Sequence, residues 1–267
     1  IYNATIGIYV HNGSFKIHNV TINNCKVYNL QTGINFDNVE EGKANNIEAY
    51  DNLNYGIYLY VSNNITLNNT KVHNNPQQGI FCEKSHYAKI TNSSIYNNGN
   101  QGVGHYGIYL RYSNHTIIRA NIIYDNNKYS VVIGDSNNVT LIENKIYGNN
   151  ITGVMVSFCR DIVLNYNNIY NNLRYGVDGM YSSNINAQFN YWGDSSGPYH
   201  ATTNPGGQGD NVSDNVDYSP WLGFPWPTSP MTYHTNDNIQ DAIDAANAND
   251  TIKVNPGLYK ENIVIDK

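Results

Sequence analysis

The sequence predicts an all-β fold, a right-handed parallel β-helix built of three-strand coils of about 23 residues. Three observations predict it: a repeat of that length, apolar columns with strand periodicity inside each repeat, and a turn position held by Asn in six consecutive repeats. The repeat is visible in "GIYLYVSNNITLNNTKVHNN" from Gly56, "GIYLRYSNHTIIRANIIYDN" from Gly107 and "GVMVSFCRDIVLNYNNIYNN" from Gly153. Coils open at Gly7, Gly33, Gly56, Gly79, Gly107, Ser130, Gly153 and Gly176, at intervals of 26, 23, 23, 28, 23, 23 and 23 residues. Leucine-rich repeats share this length but need a Leu scaffold that is missing. Helical repeats are longer, and the abundance of Asn, Gly and β-branched residues argues against helix.

Stacking the coils aligns the columns. Ile8, Ile34, Ile57, Ile80, Ile108, Val131, Val154 and Val177 follow the opening residue. Val10, Phe36, Leu59, Cys82, Leu110, Ile133 and Val156 come two further on, so the pair alternates with an outward column as a strand does. A second strand carries Ile22, Ala44, Leu67, Ile90, Ile118, Leu141 and Leu164. A third carries Val27, Ala49, Val72, Ile95, Ile123, Ile146 and Ile169, with Trp192 at its end. Single coils cannot bury these groups; stacked coils can. At the turn, Asn52, Asn75, Asn98, Asn126, Asn149 and Asn172 fit the left-handed backbone of a tight bend and can bond to one another as a ladder.

Over roughly residues 1–190 these features resemble the NosD-like and carbohydrate-binding/sugar-hydrolysis β-helix repeat family, a likeness that marks a fold more than an activity. After Gly176 the pattern fails: Gly179 and Ala187 stand where large residues belonged. "NYWGDSSGPYH" at 190–200 then offers Trp192, Asp194, Ser195, Ser196 and His200 in eleven residues, a Ser-His-Asp set on paper. Such triads are usually assembled from separated segments. Trp192 completes a core column, Gly193, Gly197 and Pro198 turn the chain away, and Pro220, Trp221 and Leu222 cover the last coil, so the stretch reads as a cap. "NYWG…SGP…YSPWL" is similar to the closing motif of archaeal surface β-helix proteins.

The domain reading is therefore a β-helix with its cap over 1–222, a Pro-rich linker over 223–232 (Pro225, Pro227, Pro230) and a second unit over 233–267. In that unit Ile239, Ala242, Ile243 and Ala246 share a helix face, Asp237 and Gln240 form a capping-box-like start, and Thr251–Val254 and Ile263–Ile265 read as strands. It resembles the amino-terminal cap and first coil of a further domain of the same family. "IYNATIG" matches "IYNNLRYG" at 169–176, so the sequence reads as a window from a longer tandem protein.

Composition narrows the function. Charged residues are 13% and the net charge is −6, which disfavours a nucleic-acid surface. No apolar run is long enough to span a membrane. Cys25, Cys82 and Cys159 fall in coils too far apart for disulfides. Sequons at Asn3, Asn12, Asn19, Asn64, Asn68, Asn92, Asn114, Asn138, Asn150, Asn211 and Asn249 make glycosylation candidates, although abundant Asn and Thr also produce such motifs.

Outward columns are where activity must lie. Tyr28, Tyr50, His73, Tyr96, Tyr124, Tyr147 and Tyr170 form one aromatic stripe, a glycan or partner surface or simply a stabilising stack. Tyr9, Tyr58, Phe81 and Tyr109 begin a second. No catalytic set stands out; the best constellation is Glu83, Lys84, Arg111, His105 and Asp125 beside the insertion "GNQGVG", with an ion-pair ladder between Glu83 and Arg111 as the simpler reading. Asp210, Asp214 and Asp217 are the one set of oxygen ligands that could take Ca²⁺; otherwise no cofactor is expected. The eight His make no zinc pair, and Met155, Met180 and Met231 form no copper cluster.

The resemblance implies an extracellular cell-surface protein of the adhesin-like or surface-layer kind. Such a protein would be a non-enzymatic rod, glycosylated and partnered by copies of itself, neighbouring surface proteins or glycans. The alternative is a polysaccharide-binding or polysaccharide-degrading module, a lyase or hydrolase.

Overall fold

The computed structural model describes residues 5–100 and 106–266, and the chain forms a right-handed parallel β-solenoid with a small extra sheet at its C-terminal end. One coil shows the plan: strands Tyr55–Tyr60, Thr66–Asn68 and Lys71–His73. The first strands of successive coils stack into an eight-stranded sheet running from Ile6–Val10 to Tyr175–Met180. The second and third strands stack likewise, and the long strand Lys43–Tyr50 joins the two piles by pairing with both Thr66–Asn68 and Lys71–His73.

The apolar columns lie in register inside. Ile57, Ile80 and Ile108 are direct strand partners and fully buried. Leu67, Ile90 and Ile118 do the same on the second pile, and Val72, Ile95 and Ile123 on the third. A further column escaped the sequence reading: Ile65, Ala88, Val139, Ile162 and Ile185 are buried two residues before the second-strand column. Its members alternate with that column, but Gly42 and Thr116 interrupt the run of apolar residues.

The Asn ladder exists, but its backbone differs from expectation. The left-handed residue is the one before each ladder Asn: Asn74, Asn97, Asp125, Gly148 and Asn171 have positive φ. That bend turns the chain so that the next side chain points inward, where its amide must find partners. Asn126 Oδ1 accepts from the Asn98 backbone N–H at 3.1 Å and from Asn98 Nδ2 at 3.2 Å, and the Asn126 amide donates to Ile95 O at 3.2 Å. Two more ladders run parallel to it. Thr70, Ser93, Asn121, Asn144, Asn167 and Asn190 form one, each after Thr70 accepting from the backbone N–H of the member before it. Ser62, Ser85, Ser113, Ser136, Cys159 and Ser182 form the other.

Packing explains the opening glycines. A Cβ on Gly79 would stand 2.7 Å from Gly107 O and 2.8 Å from Asn98 Nδ2, so the strand can lie against the ladder only without a side chain.

At the C-terminal end Trp192 and Trp221 are buried, and Leu222 N–H bonds to Asn190 O. Trp221–Leu222 pairs antiparallel with Thr232–Thr235, which pairs parallel with Thr251–Val254 after the helix Ile239–Ala245. Ile239, Ala242, Ile243 and Ala246 are buried together. The expected capping box is absent: the N-cap Asn238 makes no side-chain cap, and the Glu261 carboxylate instead accepts from Ile239 and Gln240 N–H at 3.2 and 3.1 Å. Residues 263–265 form no strand; Val264 is held through Gln240. The Pro-rich segment is tied to the solenoid, since Trp226 and Asn168 exchange two 2.7 Å hydrogen bonds and Trp226 packs on Tyr166 at 4.7 Å.

Candidate functional site

The eight-stranded sheet presents an aromatic outer face. Tyr58, Phe81 and Tyr109 sit on adjacent strands with ring centroids 5.1 Å apart at each step. Tyr55, Tyr106 and Tyr129 flank them at tilted or edge-on angles. Strand register puts Tyr60, Glu83, Arg111 and Gly134 in the next outward column. Tyr58 donates its hydroxyl to Glu83 Oε2 at 2.7 Å, and Arg111 Nη1 lies 3.5 Å from Glu83 Oε1. Half-burial, then the Glu83 hydrogen bond, push the Tyr58 phenol far above its ordinary pKa, so it remains a donor.

The strands end at a left-handed corner, and the corner column is Tyr112, Asp135, Phe158 and Tyr181, all exposed and all with positive φ. Bulky residues are costly in that conformation. Phe158 and Tyr181 stack at 5.1 Å, and the Arg111 guanidinium lies 5.3 Å from the Tyr112 ring centre. A groove beside them is lined by Tyr112, Asp135, Asn137, Phe158, Arg160 and Tyr181, among others. Sequence reading missed this column although its members recur at the coil's own 23-residue interval, because Asp135 interrupts the aromatic run. The signal was available as an aromatic residue just before Ser113, Cys159 and Ser182 of the Ser ladder.

The sequence-derived candidates separate. Glu83 and Arg111 meet as strand neighbours. Asp125 does not join them: it is a corner residue before the next coil's first strand and lines a different, amide-rich groove with Asp51, Asn74, Asn97 and Asn127. His105 and Asn3 lie outside the described residues. The stripe Tyr28, Tyr50, His73, Tyr96, Tyr124, Tyr147 and Tyr170 is one continuous stack, with centroids 4.7–5.3 Å apart and rings within 15° of parallel. Its ring faces are turned to one another, which leaves mainly edges for a ligand.

Asp210, Asp214 and Asp217 have separate tasks, and no group of three or more His, Cys, Asp or Glu among the described residues is arranged to hold a metal. Asp210 ends the Asn ladder, accepting from Asn172 N–H at 3.1 Å and Asn172 Nδ2 at 2.7 Å; burial raises its pKa to about 6. Asp214 faces His200 Nε2 at 3.1 Å. Asp217 pairs with Asn186 across strands, and burial with the nearby Asp237 raises its pKa to about 6. The paper triad is likewise dispersed. Asp194 accepts from Ser196 N–H and Oγ, Ser195 O accepts from the Trp221 indole, and His200 is bound by Thr203 and Asp214.

Asn12, Asn19, Asn64, Asn92, Asn138, Asn150, Asn211 and Asn249 are exposed, whereas Asn68 and Asn114 are half-buried. Asn19, Asn64, Asn92, Asn138 and Asn249 occupy left-handed corners, so backbone geometry alone accounts for much of the sequon count. The three cysteines are unpaired; Cys82 is enclosed, with its thiol pushed up to about 12 by burial.

These features define the class: a right-handed parallel β-solenoid with aromatic outward columns. The chain belongs to the family described as right-handed β-helix region, whose model matches residues 1–104 and 90–215. No curated protein matches it in sequence. Among solved structures it is similar to the A-module of mannuronan C-5 epimerase AlgE4 from Azotobacter vinelandii, with 20% identity, TM-score 0.57, 66% of this chain and 54% of that one. A double mutant of the periplasmic alginate epimerase AlgG gives 18% identity and TM-score 0.59 over 74% of this chain and 48% of that one. The Dettilon tailspike protein gives 14% identity and TM-score 0.57 over 71% and 42%. The chain thus spans about half the length of the structures it matches, and at these identities the likeness is one of fold. No helix among the described residues is long and apolar enough to cross a membrane.

Proposed function

We propose that this protein is a polysaccharide-binding module that lays a glycan chain along the outer face of its eight-stranded sheet. The observation that carries the proposal is the aromatic patch of Tyr55, Tyr58, Phe81, Tyr106, Tyr109 and Tyr129, with the Tyr58–Glu83–Arg111 group at its side. Tyr58, Phe81 and Tyr109 turn their faces to one another and Phe81 is buried, so the Tyr58 and Tyr109 edges and the tilted rings of Tyr55, Tyr106 and Tyr129 meet the C–H surfaces of sugar rings, while the polar trio offers donors and acceptors to hydroxyls. Relatives in fold named as alginate epimerases support the reading, because they put the same scaffold on polysaccharide. Binding is favoured over cleavage because Glu83 is engaged by Tyr58 and Arg111, and Asp37 by Tyr9 and His11, which leaves no pair of unengaged carboxylates beside the aromatic patch. Along this face and its corner Asp37, Glu83, Asp135 and Asp178 outnumber Lys84, Arg111 and Arg160, which favours neutral glycans over polyanions.

Affinity electrophoresis in gels containing neutral or acidic polysaccharides tests this. Retardation by a neutral polymer, lost in a Tyr58→Ala/Tyr109→Ala double variant, is expected; migration unaffected by every polymer would refute it. Release of reducing ends that stops in Arg111→Ala would instead make the protein an enzyme.

A second reading, an extracellular, glycosylated surface rod that associates with its own copies, is supported by the three unbroken internal ladders that stiffen the solenoid. Mass spectrometry of the protein from its native host distinguishes it: glycan on Asn12, Asn64 or Asn138 is expected if it holds.

A further inference from the structure

The corner column contains a gap of defined size. Tyr112, Asp135, Phe158 and Tyr181 occupy four successive coils, fixed by the register Arg111–Gly134–Ser157–Met180 on the strands just before them. Phe158 and Tyr181, one coil apart, stack at 5.1 Å and 13°. Tyr112 and Phe158 are two coils apart, which at roughly 4.8 Å per coil separates their positions by just under 10 Å. Only the short Asp135 side chain stands between. A ring entering midway lies about 5 Å from each aromatic face, the spacing that the column itself uses. A pyranose chair, thicker than a flat aromatic ring, fills that space.

We propose that this gap is a subsite for one neutral pyranose unit, sandwiched by Tyr112 and Phe158 and bonded through its hydroxyls to Asp135. The proposal rests on the glycan-binding reading and places one sugar beside the sheet face. Three further observations support it. The aromatics are exposed, Phe158 by 62% and Tyr181 by 75%, and stand at left-handed corners where bulky side chains are costly. The groove rim carries Asp135, Asn137 and Arg160, suited to hydroxyls. The chain also shows the contrasting case: the corner pair Tyr166 and Phe189 stacks at 5.5 Å and is covered by Trp226 and Tyr233, with apolar Leu222 and Met231 around it. There an apolar partner is met by an apolar setting; here the setting is polar. Asp135 repels carboxylated sugars, which makes the occupant neutral.

Isothermal titration calorimetry of the whole chain is the test, with hexasaccharides of glucan, mannan and galactan, an oligogalacturonate and a Trp-containing peptide as probes. Asp135→Tyr completes the aromatic column on a backbone that Tyr112 and Tyr181 already adopt. It is expected to weaken binding of a neutral hexasaccharide at least tenfold with no drop in melting temperature. Asp135→Asn, which keeps the gap, should lose less than threefold, and Phe158→Asn, suited to the same backbone, should lose about as much as Asp135→Tyr. Unchanged affinity in both Asp135→Tyr and Phe158→Asn, with loss in Tyr58→Ala/Tyr109→Ala, would overturn the subsite and leave the glycan-binding reading standing. Binding of no saccharide would overturn both, and preference for the peptide would overturn the sugar as occupant.

Discussion

A buried amide with every partner in place holds each coil corner. Asn126 accepts two hydrogen bonds from Asn98 and donates to Ile95 O, all out of reach of water. Asn126→Ala strands the buried Asn98 backbone N–H, while Asn98 Nδ2 keeps Val72 O and Tyr96 O, so the loss expected in urea denaturation is about 1–3 kcal/mol. The residue before a ladder position carries the opposite tension. Val61 sits at φ 49°, where a β-branched side chain costs about 1–2 kcal/mol, so Val61→Asn is expected to raise stability by about 1 kcal/mol in the same assay. Asp210 replaces Asn at the end of the ladder. Burial raises its folded pKa to about 6 from 3.8, and Asp217 behaves alike. A raised acid binds its proton more tightly when folded, so the stabilisation is complete below about pH 4 and disappears as pH rises through about 6. The shift corresponds to about 3 kcal/mol for Asp210. Asp210→Asn keeps the acceptor and removes the charge: denaturation midpoints from pH 4 to 8 should fall less steeply than in the unaltered protein. Glu48, held low by Lys26, and Asp194, held low by Ser196 N–H, act in the other direction but are exposed and screened.

Strands and columns are the next scale. The ring stack from Tyr28 to Tyr170 spends its faces on its own neighbours, in contrast to the corner column with its gap. Tyr124→Ala removes a ring stacked on both sides, on Tyr96 at 4.9 Å and Tyr147 at 5.3 Å. Stacked pairs contribute about 0.5–1.5 kcal/mol each beyond burial, so a loss of about 2 kcal/mol is expected, with glycan retardation unchanged. Reduced retardation would return the stripe to the binding surface. The first-strand glycines express the same economy of space: Gly79→Ala presses a methyl onto fixed backbone at 2.7 Å, and a loss of about 1–3 kcal/mol in thermal or urea unfolding is expected.

At the scale of the molecule, the C-terminal sheet and helix are bound to the solenoid's flank by Trp226 and by a small core of Leu222, Met231, Tyr233, Ala242 and Ala246. Trp226→Ala removes the ring packed on Tyr166. The expected result is faster proteolysis within 223–230 with the main unfolding transition retained, read by limited digestion and calorimetry. The binding surface also belongs to this scale, since its residues come from strands and corners of several coils.

Much of this was legible in the sequence, where a residue's role depends only on its place in the repeat. The opening Gly, the inward Ile and Val, the Asn ladder and Trp192 as the end of a column all follow from period and alternation, because each coil faces a near copy of itself. The Ser ladder and the Ile65–Ile185 column were hidden, since their members change type from coil to coil. The capping of the helix by Glu261 was invisible, because a carboxylate more than twenty residues away leaves no local signal. Sequence by itself determined the solenoid, its core and its ladders, through local period and the burial of like groups on like. Tertiary structure alone decided that Asp125 parts from Glu83 and Arg111, that three acids serve three separate contacts, and that Tyr112 and Phe158 frame a gap. Those outcomes depend on how coils stack and where corners point, a geometry that exists only once the chain is wound.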